Sequence, residues 1–208
     1  MGMVFPDPET AGADGVVAVG GDLQPDTLLA AYGQGIFPWY SEGQPILWWS
    51  PDPRMVLFAD EFHCSRRLAR RLKQSRYRFS WDAAFHEVIR ACAEPRDDEG
   101  GTWILPEMMA AYARLHELGH AHSVEVWEGD ALIGGLYGVL LNQIFFAESM
   151  FSRRTDGSKM ALARLVERAQ GEKWKLIDCQ FYTAHLASLG ACEIPRADFL
   201  SIVWGGCL

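Results

Sequence analysis

Ile177-Asp178-Cys179-Gln180 is the stretch of this chain that says most about its fold and its chemistry. Leu176 and Ile177 predict a short apolar strand that delivers Asp178 and Gln180 at its end. A buried carboxylate is costly without a partner, and alternating α/β sheets bind their ligands at such strand ends. The stretch therefore predicts part of a functional site. The alternative is that Asp178 only caps the helix that follows.

A second strand end earlier in the chain carries another carboxylate. The apolar segments 131–139 and 143–147 predict two buried strands of a hairpin, and the second strand delivers Glu148 at its end. We therefore expect Glu148 to join Asp178 and Gln180 in one polar cluster. The alternative is a structural salt bridge of Glu148 with Arg153 or Lys159.

Periodicity and turn residues predict helices that alternate with a mostly antiparallel central sheet, which is an α/β (α+β) fold. The Pro-rich segment 51–53 predicts a boundary between a small N-terminal α/β domain with Trp/Pro/Gly-rich loops, residues 1–53, and a catalytic domain, residues 54–208. The predicted strands are 16–19, 55–58, 78–81, 122–128, 130–140, 143–149, 174–179 and 191–194. The predicted helices are 25–33, 65–73, 83–92, 106–118, 158–171 and 183–189.

Composition limits the class of protein. The 208 residues are 49% hydrophobic and 22% charged, which is ordinary for a globular protein. The N-terminal segment has no signal-peptide pattern, and no apolar run is long enough to predict a membrane span. The five cysteines include no C-x-x-C pair, so we expect neither a disulfide framework nor a structural zinc site. These features favour a cytoplasmic protein.

One segment is strongly basic although the net charge of the chain is −8. Between His63 and Trp81 there are seven basic residues and no acidic one. A helix that presents such side chains on one face can follow nucleic-acid phosphates, and the alternative is a solvated helix face. The basic residues of this segment are Arg66, Arg67, Arg70, Arg71, Lys73, Arg76 and Arg78.

The segment His116–His120 matches the H-E-x-x-H pattern of zinc proteases. That chemistry needs both histidines one turn apart on the same helix. Gly119 lies between them and predicts the end of the helix, so His120 should not share a face with His116. The sequence therefore predicts no metal site here.

Nine motifs, in order along nearly the whole chain, resemble the leucyl/phenylalanyl-tRNA–protein transferase family. Each motif alone is weak evidence, but their common order makes the resemblance specific. The motifs are GGDL (20–23), GIFPWY (35–40), ILWWSPDPR (46–54), EGGTWI (99–104), HELGHAHSVEVW (116–127), GGLYGV (134–139), AESMFS (147–152), LIDCQ (176–180) and LASLGACEIPR (186–196).

The resemblance implies a function and a fold. Members of this family take Leu or Phe, possibly Met, from aminoacyl-tRNA and join it to a protein whose N-terminus is Arg or Lys. The product enters N-degron proteolysis. For residues 54–208 the resemblance implies an acetyltransferase-like (GNAT) domain with a mixed, mostly antiparallel sheet. It implies no cofactor and no membrane.

The resemblance also implies roles for single residues. Asp178 and Gln180 correspond to the catalytic pair, and Glu148 corresponds to the acidic residue that binds the acceptor. Trp39 and Trp103 correspond to residues that contact the 3′ adenosine of the tRNA. Leu136, Phe145 and Met150 are candidates for the pocket that accepts the donor side chain, with a core position as the alternative. The candidates for contact with the tRNA backbone are Arg66, Arg67, Arg70, Arg71, Lys73 and Arg76.

Two other functions remain open from sequence. An acetyl-CoA-dependent N-acetyltransferase would need a [Q/R]-x-x-G-x-[G/A] loop for pyrophosphate. Residues 154–159 match only the first four positions of that loop, and Asp156 adds a negative charge where phosphates would bind. A non-catalytic RNA-binding adaptor would not need the polar cluster of Asp178, Gln180 and Glu148.

Overall fold

The structure, a computed structural model, describes residues 3–95 and 102–205, and within them it contains two β-sheets. A three-stranded antiparallel sheet has the strand order β1-β3-β2, and a seven-stranded sheet has the order β10-β4-β9-β8-β7-β6-β5. The strands are β1 (Val16–Val19), β2 (Phe37–Pro38), β3 (Leu47–Trp49), β4 (Arg54–Leu57), β5 (Tyr77–Trp81), β6 (Ala121–Glu128), β7 (Ala131–Leu141), β8 (Ile144–Ser152), β9 (Leu176–Gln180) and β10 (Cys192–Ile194).

Seven α-helices of the described residues pack against these sheets. Pro25 and Pro106 each stand in the first turn of a helix, where their missing N–H costs nothing. The side chain of Ser65 caps another helix by accepting a hydrogen bond from Leu68 N. The helices are α1 (Pro25–Tyr32), α2 (Arg66–Leu72), α3 (Phe85–Ala93), α4 (Pro106–Glu117), α5 (Gly157–Glu172), α6 (Ala184–Ala187) and α7 (Arg196–Val203).

The large sheet confirms the predicted mixed, mostly antiparallel α/β fold. Its one parallel pair, β8 with β9, spans Ile144–Phe146 and Leu176–Asp178. The register pairs Phe146 with Asp178 and extends no further. Beyond this pair the two neighbouring strands are no longer joined by backbone hydrogen bonds. The later residues of both strands therefore face a cleft in the middle of the sheet.

Most predicted elements are present with ends shifted by one or two residues, and a few differ more. Strand β8 runs three residues beyond the predicted end at 149, so Glu148 lies well inside the strand and not at its end. Strands β2 and β3 and helix α7 were not predicted. The domain boundary near 51–53 stays a prediction, and most of the predicted polar loop 94–101 lies outside the described residues. No helix in the described ranges is long and apolar enough to span a membrane.

Close packing between β7 and β8 depends on Gly138. A Cβ at this position would overlap the carbonyl oxygen of Phe146 and the ring of Phe145. The register between β7 and β8 shifts at Tyr137 and Gly138, so backbone and ring approach the glycine more closely than a regular ladder would allow. Glycine is therefore required here for packing, because its φ is not in the left-handed region.

Gly138→Ala should destabilise the protein by roughly 2–3 kcal/mol, because the new methyl group can be accommodated only by moving backbone or a packed ring. Chemical unfolding of both proteins measures this difference. The matched control is Gly171→Ala in α5, where a Cβ meets nothing within 4 Å, and we expect no loss there. Equal stability of Gly138→Ala and the wild type would contradict the packing argument.

Candidate active site

A fully buried ion pair joins β4 to β9. Arg54 Nε lies 2.8 Å from Asp178 Oδ1, and Arg54 Nη2 lies 2.6 Å from Oδ2. Neither side chain has any exposed surface. The guanidinium carbon also lies 4.7 Å from the centre of the Phe37 ring and 4.4 Å from that of Phe199. Two aromatic rings and a bidentate carboxylate thus hold this arginine in one position.

Asp178 fixes the next polar residue of the strand through the backbone. Its Oδ1 accepts a hydrogen bond from Gln180 N at 3.0 Å. Gln180 has a left-handed backbone with φ of 64°, which is unusual for a residue with a side chain. Its side-chain Nε2 donates to Glu148 Oε1 at 3.0 Å, which leaves the carboxamide oxygen of Gln180 as the acceptor. The ion pair therefore sets the direction of Gln180.

Glu148 reaches this cluster because β8 has a bulge. Tyr137 of β7 pairs with Ser149, and Gly138 pairs with Ala147, so Glu148 is the extra residue between them. Bulges of this kind redirect a side chain and occur often beside active sites. The Glu148 carboxylate accepts a hydrogen bond from Tyr32 at Oε1 and one from Tyr112 at Oε2, both at 2.8 Å.

Burial raises the pKa of Glu148 from its ordinary value of 4.5 to about 7. Hydrogen bonds from Tyr32, Tyr112 and Gln180 stabilise the ionised form and act in the opposite direction, and the charge of Asp178 adds to the increase. Among the described residues, the hydrogen-bond donors to Glu148 are neutral, and no arginine pairs with it. A carboxyl group with this pKa can both hold and release a proton near neutral pH.

A cavity of about 820 Å³ opens above Glu148 and Gln180. Trp39, with 40% of its surface exposed, stands on its wall and packs against Trp49 and Phe181 at centroid distances of 5.6 and 5.3 Å. Burial raises the pKa of the Cys179 thiol, which also lines the cavity, so a thiolate nucleophile is not favoured there. Further lining residues are Trp103, Leu136, Met150, Phe181, Arg153 and His185.

Eight residues were predicted for catalysis, the acceptor, the 3′ adenosine and the donor pocket. Glu148 and five others line this cavity, and two do not. Asp178 is fully buried and acts on the site through Gln180 N and not by its own contact with the cavity. Phe145 is also fully buried, and its ring stacks on Trp174 at 5.6 Å. Phe145 therefore has the core position that the sequence left open as the alternative, because its ring packs behind the pocket wall and not on it. The predicted residues on the wall are Trp39, Trp103, Leu136, Met150 and Gln180.

The alternatives that the sequence left open for the two acids are wrong. Thr183 caps helix α6, so Asp178 does not. Arg153 pairs with Glu94, and among the described residues neither Arg153 nor Lys159 forms an ion pair with Glu148. Gln180 contacts both acids as the predicted cluster requires, whereas Arg54 beside Asp178 and the two tyrosines beside Glu148 were not suggested by the sequence.

The basic segment 66–76 forms helix α2 and the turn that follows it, and some of its charges have partners within the protein. Asp156 at the start of α5 pairs with Arg71 at 3.0 Å and lies 3.6 Å from Arg67. Arg76 pairs with Glu128 at 3.3 Å. For the exposed Arg66, Arg70 and Lys73, the described residues supply no ion-pair partner.

Helix α4 ends at Glu117, and Gly119 has a φ of 80°, so the helix stops before His120 as predicted. His116 Nδ1 lies 2.8 Å from the carbonyl oxygen of Ala121, and its ring stacks on Phe85. His116 is thus held by packing and by a backbone carbonyl.

Three residues of the site were missed in the sequence. Arg54 begins an apolar strand, and a charge at such a position implies a buried acid elsewhere, which was a usable signal. Tyr112 lies on the buried face of α4 with Met108 and Leu115, and its hydroxyl would need a partner there. Tyr32, the last residue of α1, gave no comparable signal. Its contact with Glu148 joins residues 116 positions apart.

A mixed sheet that opens over an acid and a carboxamide, with aromatic and apolar walls, has the polar and apolar groups that an acyl-transferring enzyme needs to hold its two substrates side by side. Comparison with models of protein families identifies the family of this chain. The model of the leucyl/phenylalanyl-tRNA protein transferase matches residues 56–203, and the model of the N-terminal domain of that protein matches residues 21–52. The chain therefore belongs to the leucyl/phenylalanyl-tRNA protein transferase family, as its motifs predicted.

Similar proteins agree with the family. A leucyl/phenylalanyl-tRNA–protein transferase from Anaeromyxobacter sp. (strain Fw109-5) is 58% identical over 198 residues, which are 95% of this chain and 84% of the relative. One from Stutzerimonas stutzeri (strain A1501) is 57% identical over 197 residues, 94% of this chain and 87% of the relative.

Solved structures give weaker likenesses. A GCN5-related N-acetyltransferase from Kribbella flavida has 9% identity and a TM-score of 0.40 over 83% of this chain and 61% of its own. L-PGS from Bacillus licheniformis has 11% identity and a TM-score of 0.42 over 79% of this chain and 55% of its own.

Glu148→Gln should remove a pH-dependent part of the stability. A native pKa of about 7, raised from 4.5, means that the native state binds an extra proton between these values. This contribution is complete below about pH 4.5 and is lost as pH rises through 7, so glutamine should be more stable than ionised glutamate at pH 8 by about 2–3 kcal/mol.

Urea unfolding at about pH 5 and about pH 8 tests this sign. The stability gained by Glu148→Gln should grow between the two values. Glu42→Gln, at an exposed position, is the control and should show no such growth. A gain that is the same at both values would mean that Glu148 has no raised pKa.

Proposed function

We propose that this aminoacyltransferase takes Leu or Phe, or Met, from aminoacyl-tRNA and joins it by a peptide bond to acceptor proteins that begin with Arg or Lys. The observation that supports the proposal most directly is the pairing of Glu148 with Gln180 at the floor of the cavity. The cavity offers an anionic group for the acceptor and an apolar wall for the donor. We further propose that the enzyme acts in the cytoplasm and that its products enter N-degron proteolysis.

The donor side of the cavity is apolar and aromatic. We assign the Leu, Phe or Met side chain to the wall at Leu136 and Met150, which pair across β7 and β8. We assign the unpaired 3′ adenosine to Trp39 and Trp103. Stacking of a base on an aromatic ring contributes roughly 1–3 kcal/mol, and Trp39 has the exposed surface that this contact needs.

The acceptor side is the carboxylate of Glu148. An N-terminal Arg or Lys brings two positive charges, one on the α-amine and one on the side chain. The carboxylate of Glu148 can form an ion pair with one of them. A charge-assisted hydrogen bond to a mostly buried carboxylate discriminates strongly against acceptors that cannot form it. Glu148 would thus select cationic N-termini.

The reaction itself needs positioning more than a covalent intermediate. The donor is an ester between the amino acid and a ribose hydroxyl, and it is already activated. The acceptor amine attacks the ester carbonyl while the carboxamide oxygen of Gln180 accepts a hydrogen bond from that amine. Much of the rate can come from holding both substrates in line. Asp178 acts as a positioning residue, since its hydrogen bond from Gln180 N fixes the backbone that presents the carboxamide.

The tRNA backbone is assigned to α2 and the turn after it. Of the six basic residues predicted there, Arg66, Arg70 and Lys73 are exposed and are the most available for phosphates. Arg71 and Arg67 share Asp156, which lies beside the start of α5. An acetyl-CoA pyrophosphate would have to bind at that helix start, so the carboxylate of Asp156 disfavours the acetyltransferase alternative.

Transfer of radiolabelled leucine from charged tRNA to peptides that begin with Arg, Lys or Ala tests the proposed function. We expect label on the Arg and Lys peptides and none on the Ala peptide. Phe- and Met-charged tRNA, tested in the same way, measure the choice of donor. Absence of transfer from all three donors by folded protein would refute the proposal, and acyl-CoA donors would then be tested.

Arg66→Glu with Arg70→Glu should raise the KM for charged tRNA several-fold and leave kcat nearly unchanged, because phosphate contacts supply binding and not chemistry. Steady-state kinetics at two salt concentrations measure both constants, and the effect should shrink at high salt. The control is Arg90→Glu with Arg114→Glu, which changes the net charge equally at exposed positions on α3 and α4. A similar rise in KM for the control would show that only net charge matters.

A further inference from the structure

Glu148, Tyr32 and Tyr112 form a closed ring of short contacts. The two hydroxyl oxygens lie 2.5 Å apart, and each lies 2.8 Å from one oxygen of the carboxylate. Each contact requires a proton between its two oxygens. The ring thus has three oxygen–oxygen contacts in which a proton is needed.

An ionised carboxylate leaves this ring one proton short. The two phenols carry one proton each, and if both donate to Glu148 there is none between the two hydroxyl oxygens. Two oxygens at 2.5 Å with no proton between them repel each other. A third proton, on the carboxyl group, fills the ring: Glu148 donates to Tyr32, Tyr32 donates to Tyr112, and Tyr112 donates back to Glu148. No heavy atom has to move.

The surroundings of the ring favour uptake of one proton at Glu148. Desolvation raises the pKa of Tyr32 and of Tyr112 well above that of a free phenol, so neither hydroxyl gives up its own proton. Tyr137 of β7 is likewise buried, and its hydroxyl has no hydrogen-bond partner within residues 3–95 and 102–205. Asp178 of β9 is paired with Arg54, and Cys92 of α3 is the remaining titratable group near Tyr137.

The ring and the substrates lie on opposite sides of Glu148. Glu148 and Gln180 line the cavity, whereas none of the three tyrosines is among the described residues that line it. The carboxyl group can therefore exchange a proton with a substrate in the cavity while the tyrosines hold it from behind.

We propose that Glu148 is the base that receives the proton of the acceptor's α-ammonium group, and that Tyr32 and Tyr112 are positioning residues that complete a ring able to store this proton. This inference rests on the proposed transfer of an aminoacyl group to an N-terminal amine. It assigns to Glu148 a step of the reaction in addition to the binding of a cationic acceptor.

The proton balance of the step is complete. One proton leaves the α-ammonium nitrogen for Glu148, and the freed electron pair of the nitrogen attacks the ester carbonyl carbon. As the carbon–nitrogen bond forms, the bond to the ribose 3′ oxygen breaks and its electron pair stays on that oxygen. A second proton passes from the nitrogen to the 3′ oxygen, which leaves as a hydroxyl group. Glu148 later returns the stored proton to solvent.

Single-turnover transfer at saturating acceptor peptide, from about pH 5.5 to about pH 8.5, separates this role from binding. Loss of base function at low pH should reduce the rate even when the peptide is saturating. Tyr112→Phe removes a charge-assisted donor from the ionised carboxylate, whereas the protonated carboxyl group can still donate to Tyr32. The ionised form therefore loses more than the protonated form, and the pKa of Glu148 should rise. The acidic limb of the rate should then move up by about one pH unit, which is about a tenfold loss at the acidic end. Tyr32→Phe should act in the same direction.

Tyr40→Phe is the matched control. Tyr40 is also a buried tyrosine, and its hydroxyl donates to Glu107 at 3.2 Å, away from Glu148. Its removal should leave the acidic limb where the wild type has it. In parallel, the ¹³C carboxyl resonance of Glu148, assigned through Glu148→Gln, should titrate near neutral pH in the free protein and at higher pH in Tyr112→Phe.

The outcomes are distinct. A limb that moves in Tyr112→Phe and Tyr32→Phe but not in Tyr40→Phe supports the proposal. A fixed limb with a raised KM for the peptide means that Glu148 only binds the acceptor, and a carboxyl titration near the ordinary value of 4.5 excludes a proton store; either result overturns the proposal. If Tyr112→Phe does not fold, Tyr32→Phe decides. Absence of transfer at every pH would refute the proposed function itself.

Discussion

The buried pair of Arg54 and Asp178 is the interaction on which the arrangement of this molecule depends. Removing two charges from water is expensive, and only ideal geometry with further contacts compensates for it. Here both hydrogen bonds are short, and the guanidinium lies between Phe37 of the small sheet and Phe199 of α7. One arginine thereby connects β4, β9, the small sheet and the C-terminal helix. The conformation of β9 is fixed because any shift would break this set of contacts.

The site follows from that pair in two steps. Asp178 Oδ1 accepts both from Arg54 and from the backbone of Gln180, which stabilises the left-handed conformation at the strand end. In that conformation the Gln180 side chain meets Glu148, which the bulge of β8 delivers from the opposite strand. Neither irregularity alone would form the cluster. A regular β8 would direct Glu148 elsewhere, and an extended Gln180 would not face it.

Local signals in the sequence were enough for most of the elements, though not for β2, β3 and α7, and for three polar residues of the cluster. Apolar runs that end in Asp178 and near Glu148 predicted both strands, and the helices of the catalytic part were close in extent. The missing parts are nonlocal. Tyr32 and Glu148 are 116 positions apart in the sequence, and Arg54 and Asp178 are 124 positions apart. The spacing of apolar residues within a strand or helix does not predict contacts between such distant positions. Phe145 was placed on the pocket wall because a strand pattern cannot distinguish a wall residue from one packed behind it.

The two carboxylates of the site differ in the way their charge is compensated. Asp178 has a permanent cation beside it and no exposed surface, which suits the positioning role that we propose for it. Glu148 has neutral donors, contact with the cavity and a ring of hydroxyl groups one proton short of complete. A second arginine at Glu148 would hold the carboxylate permanently ionised and would compete with a cationic acceptor for it. In the mechanism that we propose, the absence of a cation among its described neighbours is what allows one group both to recognise a positive N-terminus and to take part in its deprotonation.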